Sequence, residues 1–285
     1  MEIAKKEPLE TLLRADKPIV APLCLDPLMA RIAEQAGFTW GYISGGALGY
    51  SYAVSEALLT LTEIADATRR ITQRCDLEII VDVGVGFGDP VHVARVVWEI
   101  EQAGAVAIEI EDQVAPKRVS HHRGIEHLVE TEVMVQKIEQ AVAARSADDF
   151  LIIARTGAVK NESFDAALDR LRAYQKAGAD VLMMMPDGGE QIEQARAELN
   201  GALATITAMD NVNTDTWRDT GWNLLIDPFT AQVAAVQAVQ AAYGDFQTKG
   251  STQMDLKSLF ATYHTLGTIA GLEALYAIED VTTEK

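Results

Sequence analysis

The sequence contains little cysteine, and this scarcity argues against two classes of site. Cys24 and Cys75 are the only cysteines in 285 residues, and they do not form a Cys-x-x-Cys pair. Neither a disulfide framework nor a thiolate zinc site is therefore expected. No window approaches the roughly 18 apolar residues of a membrane span. The N-terminal segment MEIAKKEPLETLLRADKP is charged throughout, unlike a signal peptide, so we expect a cytoplasmic protein.

Basic residues are also scarce. There are 24 Lys and Arg residues against 42 Asp and Glu residues, which gives a formal net charge of −18. A field of this sign repels a phosphate backbone, so nucleic acid is not an expected partner. It does not exclude an anionic substrate, because a local pocket of Lys and Arg can override the average. The hydrophobic content of 48% predicts a folded globular protein.

Short β-branched runs alternate along the chain with longer amphipathic segments. The predicted strands are Ile19–Cys24, Trp40–Ser44, Glu78–Val83, Ala105–Asp112, Phe150–Thr156, Asp180–Met185, Ala202–Ala208 and Trp222–Asp227. The predicted helices between them include Pro27–Ala36, Thr62–Gln73, Pro90–Ala103, Thr131–Ala144, Ser163–Ala177 and Gln191–Leu199. Eight such units predict a (β/α)₈ barrel. A doubly wound open sheet is the weaker alternative, because no Gly-x-Gly-x-x-Gly follows the first strand.

Glycines at three helix ends support this count of units. Gly37, Gly104 and Gly178 each stand where a predicted helix ends and a strand begins. A glycine at such a point supplies the left-handed residue that turns the chain back into the sheet. We interpret these glycines as part of the scaffold and not of the active site.

The last forty or so residues lie beyond the eight units. We assign residues 1–243 to the barrel and 244–285 to a C-terminal helical extension for subunit contacts. Gly244–Thr252 is polar and glycine-punctuated, which predicts a linker, and Met254–Ile278 has the apolar spacing of a helix. Its apolar stripe packs either on its own barrel or on a second subunit. The second arrangement would give a homodimer or homotetramer.

Carboxylates occupy the predicted ends of adjacent strands, where barrel enzymes place their reacting groups. Asp82 ends the third strand, and Glu111 and Asp112 end the fourth. Mg²⁺ needs one or two such ligands and keeps several waters. A metal here could hold a small 2-oxo or 2-hydroxy acid and stabilise an enolate. For Asp82 we favour this functional interpretation, and for Asp112 a structural role in capping the loop.

A basic cluster follows the fourth strand of this otherwise acidic protein. It consists of Lys117, Arg118, His121, His122 and Arg123. We interpret Arg118 and Arg123 as solvated, and Lys117 and His121 as candidates for the barrel mouth. Arg155, at the end of strand five, could grip a carboxylate through two hydrogen bonds.

The turn after the second strand is a candidate anion site. Ser44, Gly45 and Gly46 leave backbone amides free near the mouth. Tyr42 either faces the mouth or serves only for packing.

Taken together, these motifs resemble the isocitrate lyase and phosphoenolpyruvate mutase superfamily. The resemblance runs from about Pro18 to Asp187. It rests on Asp26-Pro27-Leu28-Met29-Ala30-Arg31, Tyr42-Ile43-Ser44-Gly45-Gly46, Gly86-Phe87-Gly88, Ile110-Glu111-Asp112-Gln113 with Pro116-Lys117-Arg118, and Ala154-Arg155-Thr156. It implies a magnesium-dependent barrel that makes or breaks C–C or P–C bonds beside a 2-oxo acid, with C-terminal helices exchanged between subunits.

The resemblance also implies roles for individual residues. Asp82 would be the direct Mg²⁺ ligand, Glu111 an outer-shell ligand and Arg155 a substrate clamp. The substrate's carboxylate and oxo group would be held by Tyr42, Ser44, Gly45 and Gly46.

The chain departs from the family pattern at five places. Where the family has the second acid of Asp-x-Asp, this chain has Gly84. The family's acid in the loop after strand two corresponds to about Ser55, with Glu56 beside it. Where the family has the cysteine of Lys-Arg-Cys-Gly-His, this chain has Val119. At strand six the family's Glu is shortened to Asp187, which we include among the substrate-binding residues, and at strand seven its Asn is Thr205. Valine cannot transfer a proton, and lost outer-shell acids weaken a metal site.

Three functions fit this pattern. The one we favour is a C–C lyase or decarboxylase acting on a small 2-oxo or malate-type acid through a pyruvate-like enolate. In it, Arg155, Lys117 and His121 are catalytic, and His121 replaces the cysteine. The second is a P–C bond enzyme acting on a phosphonate. The third is a barrel that binds a carboxylic acid without catalysis or without a metal.

Overall fold

The computed structural model describes residues 8–212 and 217–283, and the strands in these ranges form one parallel sheet in the order β1-β8-β7-β6-β5-β4-β3-β2. A bridge between Leu23 and Tyr42 joins β1 to β2 and nearly closes the barrel. The strands are β1 (Ile19–Pro22), β2 (Trp40–Ile43), β3 (Glu78–Asp82), β4 (Ala107–Glu111), β5 (Leu151–Arg155), β6 (Val181–Met183), β7 (Ala202–Ile206) and β8 (Leu224–Asp227). The predicted (β/α)₈ barrel is confirmed.

Helices surround the sheet. Those that lie wholly within the described ranges are α1 (Pro8–Arg14), α2 (Pro27–Gln35), α3 (Gly45–Ser51), α4 (Leu61–Thr72), α5 (Pro90–Gln102), α6 (Thr131–Ala144), α7 (Ala158–Asn161), α8 (Phe164–Lys176), α9 (Gly189–Glu198), α10 (Thr230–Lys249), α11 (Leu256–Ala270) and α12 (Leu272–Thr282). Short 3₁₀ helices span Glu56–Leu58, Val119–Arg123 and Met209–Asn211. No helix in the described ranges combines the length and the apolar character that a membrane span requires.

Strand alternation divides the core into two layers. Along β4 and β5, residues such as Ala107, Leu151 and Ile153 point into the barrel, whereas Ile108 and Ile152 pack outward against the helices. Successive side chains on a strand face opposite sides, so a buried barrel strand is apolar at nearly every position. We call the face to which a strand residue points its parity, interior or outward. The parity of a polar residue therefore determines whether its side chain enters the barrel.

The chain reverses at glycines in the left-handed region, as the sequence predicts. Gly37, Gly104 and Gly178 have φ angles of +94°, +92° and +102° and follow α2, α5 and α8. Polar caps start other helices. The Thr60 side chain accepts from the Glu63 amide, and the Glu63 carboxylate accepts from the Thr60 amide.

The predicted linker at Gly244–Thr252 is wrong over most of its length. Helix α10 continues through Gly244 to Lys249 and ends at Gly250, whose φ is +70°. The division at residue 243 therefore falls inside a helix, because a run of good helix formers outweighs one glycine. The predicted helix Met254–Ile278 is instead two helices, α11 and α12, separated by Gly271 with a φ of +77°.

The three C-terminal helices bury none of their residues. Many of their large apolar side chains are exposed, including Tyr243 at 71%, Leu256 at 68% and Tyr263 at 66%. Large exposed apolar patches are typical of surfaces that contact another protein. The extension's role in subunit contacts stays a prediction.

Candidate active site

Five polar side chains enter the barrel at the C-terminal ends of neighbouring strands. Glu109 and Glu111 share the interior parity of Ala107, and Arg155 shares that of Leu151 and Ile153. The remaining two are Tyr42 on β2 and Asp82 on β3. The parallel strands bring all five to the same end of the barrel, which is where barrel enzymes build their active sites.

Two small cavities meet at this end. One, of about 110 Å³, is mainly apolar and includes Leu59, Val85 and Phe87. The other, of about 160 Å³ and called the polar cavity below, has mostly polar and charged residue types among those that line it: Tyr42, Ser44, Gly46, Glu56, Asp82, Gln113, Lys117, His121, Glu126, Arg155, Ile206 and Pro228. The two share Glu56, Asp82 and Lys117, so these residues stand between them.

Asp82 is buried and held by two backbone amides. Gly45 donates to its Oδ2 at 3.0 Å and Gly84 donates to its Oδ1 at 2.8 Å. Burial, reinforced by the nearby carboxylates Glu109 and Glu56, raises the pKa of Asp82 to about 7. The amide of Gly45, which the sequence predicted to bind substrate, instead orients this carboxylate.

Lys117 joins two carboxylates at the site. Its Nζ lies 3.0 Å from Glu56 Oε1 and 2.5 Å from Glu111 Oε1. Burial alone would raise the pKa of Glu56, but hydrogen bonding to His121 and the charge of Lys117 lower it to about 2. For Glu111, Lys117 and Arg155 likewise outweigh burial and lower the pKa. Both acids are therefore ionised near neutral pH.

Glu56 corrects the expectation of a lost acid at Ser55. The Ser55 hydroxyl pairs with His122 Nε2 at 2.8 Å, whereas the carboxylate of Glu56 lines both cavities. An acid is therefore present in the loop after β2, one position beyond the expected one. Position 84, by contrast, offers no carboxylate, since it is a glycine.

Arg155 lines the polar cavity and is held by two acids. Its Nη1 is 2.9 Å from Glu109 Oε1 and its Nη2 is 3.6 Å from Glu111 Oε2. The second oxygen of Glu109 accepts a hydrogen bond from the Tyr42 hydroxyl. Burial, with the charges of Asp82 and Glu109, raises the pKa of Tyr42 well above its usual range, so Tyr42 stays protonated.

Sequence reasoning missed Glu109, which is fully buried in the middle of this network. The available signal was its spacing of two residues from Glu111 in a strand, which places both side chains on one face. Gln113 was also missed. It donates to Glu111 Oε2 at 2.9 Å.

His121 reaches the site, but both of its ring nitrogens are engaged. Nε2 contacts Glu56 Oε1, and Nδ1 lies 2.6 Å from the carbonyl of Arg118. Burial would lower the pKa of His121, yet hydrogen bonding to Glu56 and to that carbonyl raises it. The imidazole is therefore arranged to hold Glu56.

Asp112 has the structural role predicted for it. Its Oδ2 accepts from Thr156 Oγ1 at 2.6 Å and Tyr174 Oη at 2.8 Å, and its Oδ1 accepts from the Gly157 amide at 3.0 Å. Arg170 Nη1 lies 3.4 Å from the same carboxylate. The predicted exposure of Arg118 and Arg123 is also observed.

Three other predicted positions do not reach the polar cavity. Asp187 is exposed in the loop after β6, where its amide donates to Gln191 Oε1. Thr205 has outward parity, so Ile206 takes the cavity-facing place at the end of β7. Val119 is 53% exposed on the loop after β4.

The donor set fits a hydrated Mg²⁺. In the described ranges, no three His, Cys, Asp or Glu side chains converge as a closed metal site. Magnesium does not require one, because it keeps several waters. Glu56 Oε2 and Asp82 Oδ2 lie 2.7 and 3.1 Å from the point that a Cβ on Gly45 would occupy. Two carboxylate oxygens thus approach the same small space. Carboxylates outnumber cations around it, which favours a divalent cation there.

Comparison with known proteins agrees with this geometry. The family described as phosphoenolpyruvate phosphomutase matches residues 9–246. A 2-methylisocitrate lyase of Aeropyrum pernix is 37% identical, over 90% of this chain and 86% of its own. A 2,3-dimethylmalate lyase of Eubacterium barkeri is 33% identical, over 95% and 96%.

A solved structure extends the comparison to the bound state of a relative. A phosphonopyruvate hydrolase in complex with oxalate and Mg²⁺ is 28% identical and has a TM-score of 0.83, covering 96% of this chain and 98% of its own. A carbon–carbon lyase acting on small carboxylic acids fits these relatives. The chain therefore belongs to the phosphoenolpyruvate phosphomutase family, within the superfamily that includes the isocitrate lyases.

Proposed function

We propose that the chain cleaves a malate-type 2-hydroxy acid into a 2-oxo acid and an enolate-like carboxylate carbanion, or decarboxylates a 2-oxo acid through a pyruvate-like enolate. The observation that carries this proposal is the polar cavity of about 160 Å³, in which Lys117 and Arg155 face Asp82. Its size suits a small acid, and its cations offset the acidic surface. The names of two relatives suggest 2-methylisocitrate and 2,3-dimethylmalate as substrates to test.

Arg155 is the proposed clamp for the substrate's carboxylate. Glu109 holds its Nη1, while its Nε is buried without a hydrogen-bond partner in the described part of the chain. A buried donor of this kind is costly unless a ligand satisfies it. Ser44 and Gly46 line the same cavity, and the Gly46 amide, in the first turn of α3, has no acceptor within the helix.

Asp82 is the proposed direct ligand of a magnesium ion, with Glu56 and Glu111 holding its waters. The bound ion would supply Lewis-acid stabilisation of the enolate oxygen. Lys117 keeps Glu56 and Glu111 in place, and its charge favours an anionic substrate. In this proposal His121 positions Glu56, and it is not the acid–base residue that the sequence predicted it to be.

Calorimetry with oxalate, a mimic of the pyruvate enolate, tests the site. We expect oxalate to bind in the presence of Mg²⁺ and to bind much more weakly without it. Asp82→Asn should abolish this dependence on the metal, whereas Asp66→Asn, at an exposed acid on α4, should leave it intact. Metal-dependent binding by Asp82→Asn at wild-type affinity would contradict the assignment.

A substrate panel separates the remaining functions. We expect pyruvate release from 2-methylisocitrate, 2,3-dimethylmalate or oxaloacetate. Turnover of phosphonopyruvate alone would favour the P–C bond enzyme, which the phosphonopyruvate hydrolase relative makes the second candidate. Oxalate binding without turnover of any of these acids would favour the barrel that only binds.

A further inference from the structure

Glu126 is a carboxyl group of the polar cavity that sequence reasoning did not single out. It follows the 3₁₀ helix Val119–Arg123 and precedes α6. Its side chain is half-buried and lines the cavity together with Arg155, Tyr42 and His121. It therefore faces the space that the proposed function assigns to the substrate.

Two residues after β5 hold this carboxyl group in place. Asn161 Nδ2 donates to Glu126 Oε2 at 2.9 Å and also to the Gly157 carbonyl at 2.8 Å. A Cβ on Gly157 would lie only 2.1 Å from Glu126 Oε2. Because Gly157 has no side chain, the carboxyl group can rest against the backbone at the mouth of β5.

The other oxygen, Oε1, forms no hydrogen bond with any residue that the structure describes, so it is free for a ligand. Burial raises the pKa of Glu126. Arg155 and Lys117 oppose this increase, and Glu111 and Asp112 add to it. A carboxyl group whose pKa is raised towards neutral pH is a more effective acid–base catalyst than an ordinary surface glutamate.

The other titratable groups that line the polar cavity are less suited to proton transfer, because most of them are held in hydrogen bonds or ion pairs. The Tyr42 hydroxyl donates to Glu109, and both nitrogens of His121 are engaged. Lys117 bridges two carboxylates. Glu56 has a pKa lowered to about 2, and both oxygens of Asp82 accept from backbone amides.

We propose that Glu126 is the acid–base residue of the reaction and takes the role that the valine at position 119 cannot perform. This role rests on the proposed lyase function. Glu126 Oε1 takes the proton from the substrate's 2-hydroxyl group. The O–H pair becomes the carbonyl π bond, the C2–C3 bond breaks, and its electron pair stays on C3. Glu126 then returns the proton to C3, which forms a C–H bond and restores the carboxylate.

Glu126→Gln tests this role, because glutamine keeps the shape and can still accept from Asn161. We expect kcat on 2-methylisocitrate or 2,3-dimethylmalate to fall about 10²- to 10⁴-fold. The affinity for oxalate with Mg²⁺ should stay within about threefold of wild type, because oxalate has no proton to transfer. The matched control is Glu130→Gln, which removes an exposed carboxylate four residues away and should keep full activity.

Gly157→Ala provides a second, independent variant. It leaves the acid in the chain but pushes the carboxyl group out of its place, so kcat should fall as it does for Glu126→Gln. Wild-type kcat in Glu126→Gln would overturn the role of Glu126 while the lyase function stands. A wild-type enzyme that cleaves neither 2-hydroxy acid would overturn the lyase function and this role with it.

Discussion

Gly45 shows how a residue without a side chain decides where two carboxylates lie. A Cβ at this position would lie 2.7 Å from Glu56 Oε2 and 3.1 Å from Asp82 Oδ2, both closer than ordinary contact. The neighbouring Gly46 is different, since its nearest atoms would be 3.8 Å from an added Cβ. The two glycines are adjacent in sequence, yet only the first is required sterically.

Gly45→Ala should therefore weaken Mg²⁺ binding by about ten- to a hundredfold, as expected when the support of a metal ligand is displaced. Titration calorimetry with Mg²⁺ and oxalate measures the change. Gly46→Ala is the matched control and should keep the affinity for Mg²⁺. Equal affinities in the two variants would contradict the steric argument.

Tyr174 supports the buried Asp112 from helix α8. Its hydroxyl donates to Asp112 Oδ2 at 2.8 Å, and its side chain is fully buried. Tyr174→Phe should lower the free energy of unfolding by about 1.5–3 kcal/mol, the usual value of a hydrogen bond to a charged group. Urea unfolding measures it. Tyr52→Phe, at a tyrosine that is 46% exposed and lies outside the C-terminal helices, should unfold as wild type does.

At the level of elements, the alternation of strands and helices was predictable because it depends on local spacing of apolar residues and on glycines at helix ends. Period-two and period-3.6 spacing and the glycines after α2, α5 and α8 locate the eight units. The extent of α10 was not predictable from Gly244, because a glycine inside a helix costs only about 1 kcal/mol. Its neighbours determine whether the helix continues.

The residues of the candidate site that lie at or just after the ends of strands were predictable from the sequence. Asp82, Glu111, Lys117 and Arg155 lie together as expected, because neighbouring parallel strands bring their ends to one place. Glu126 was not predictable, since its approach depends on Gly157, some thirty positions away. Such a contact between two loops has no signature in local spacing.

Helices α10 to α12 carry the apolar surface expected of a subunit interface. On α11, Leu256, Phe260 and Tyr263 follow one another at three- and four-residue steps and are all exposed. We expect a homodimer or homotetramer that buries this face. Phe260→Glu should shift the mass observed by light scattering to a smaller species.

Thr265→Glu is the control for this experiment, because 100° per residue places it on the other side of α11. It should leave the mass unchanged. A wild-type protein that is already monomeric at micromolar concentration would show that this face serves another purpose.

At the scale of the whole molecule, the net charge of −18 opposes the approach of an anionic substrate. Salt screens this long-range repulsion, with a Debye length of about 10 Å at 0.1 M. The buried contacts of Arg155 are screened much less. Low concentrations of KCl should therefore raise kcat/KM, by less than about tenfold, while kcat stays nearly constant. A steady decrease of kcat/KM with salt would show that the local cations dominate the encounter.

The close fit of Glu126 against Gly157 also has an evolutionary consequence. A side chain at position 157 and a full-length glutamate at 126 compete for the same volume. Neither position can change freely while the other keeps its residue. Among relatives, the two positions should covary, and chains with alanine or serine at 157 should carry a shorter or differently placed acid at 126.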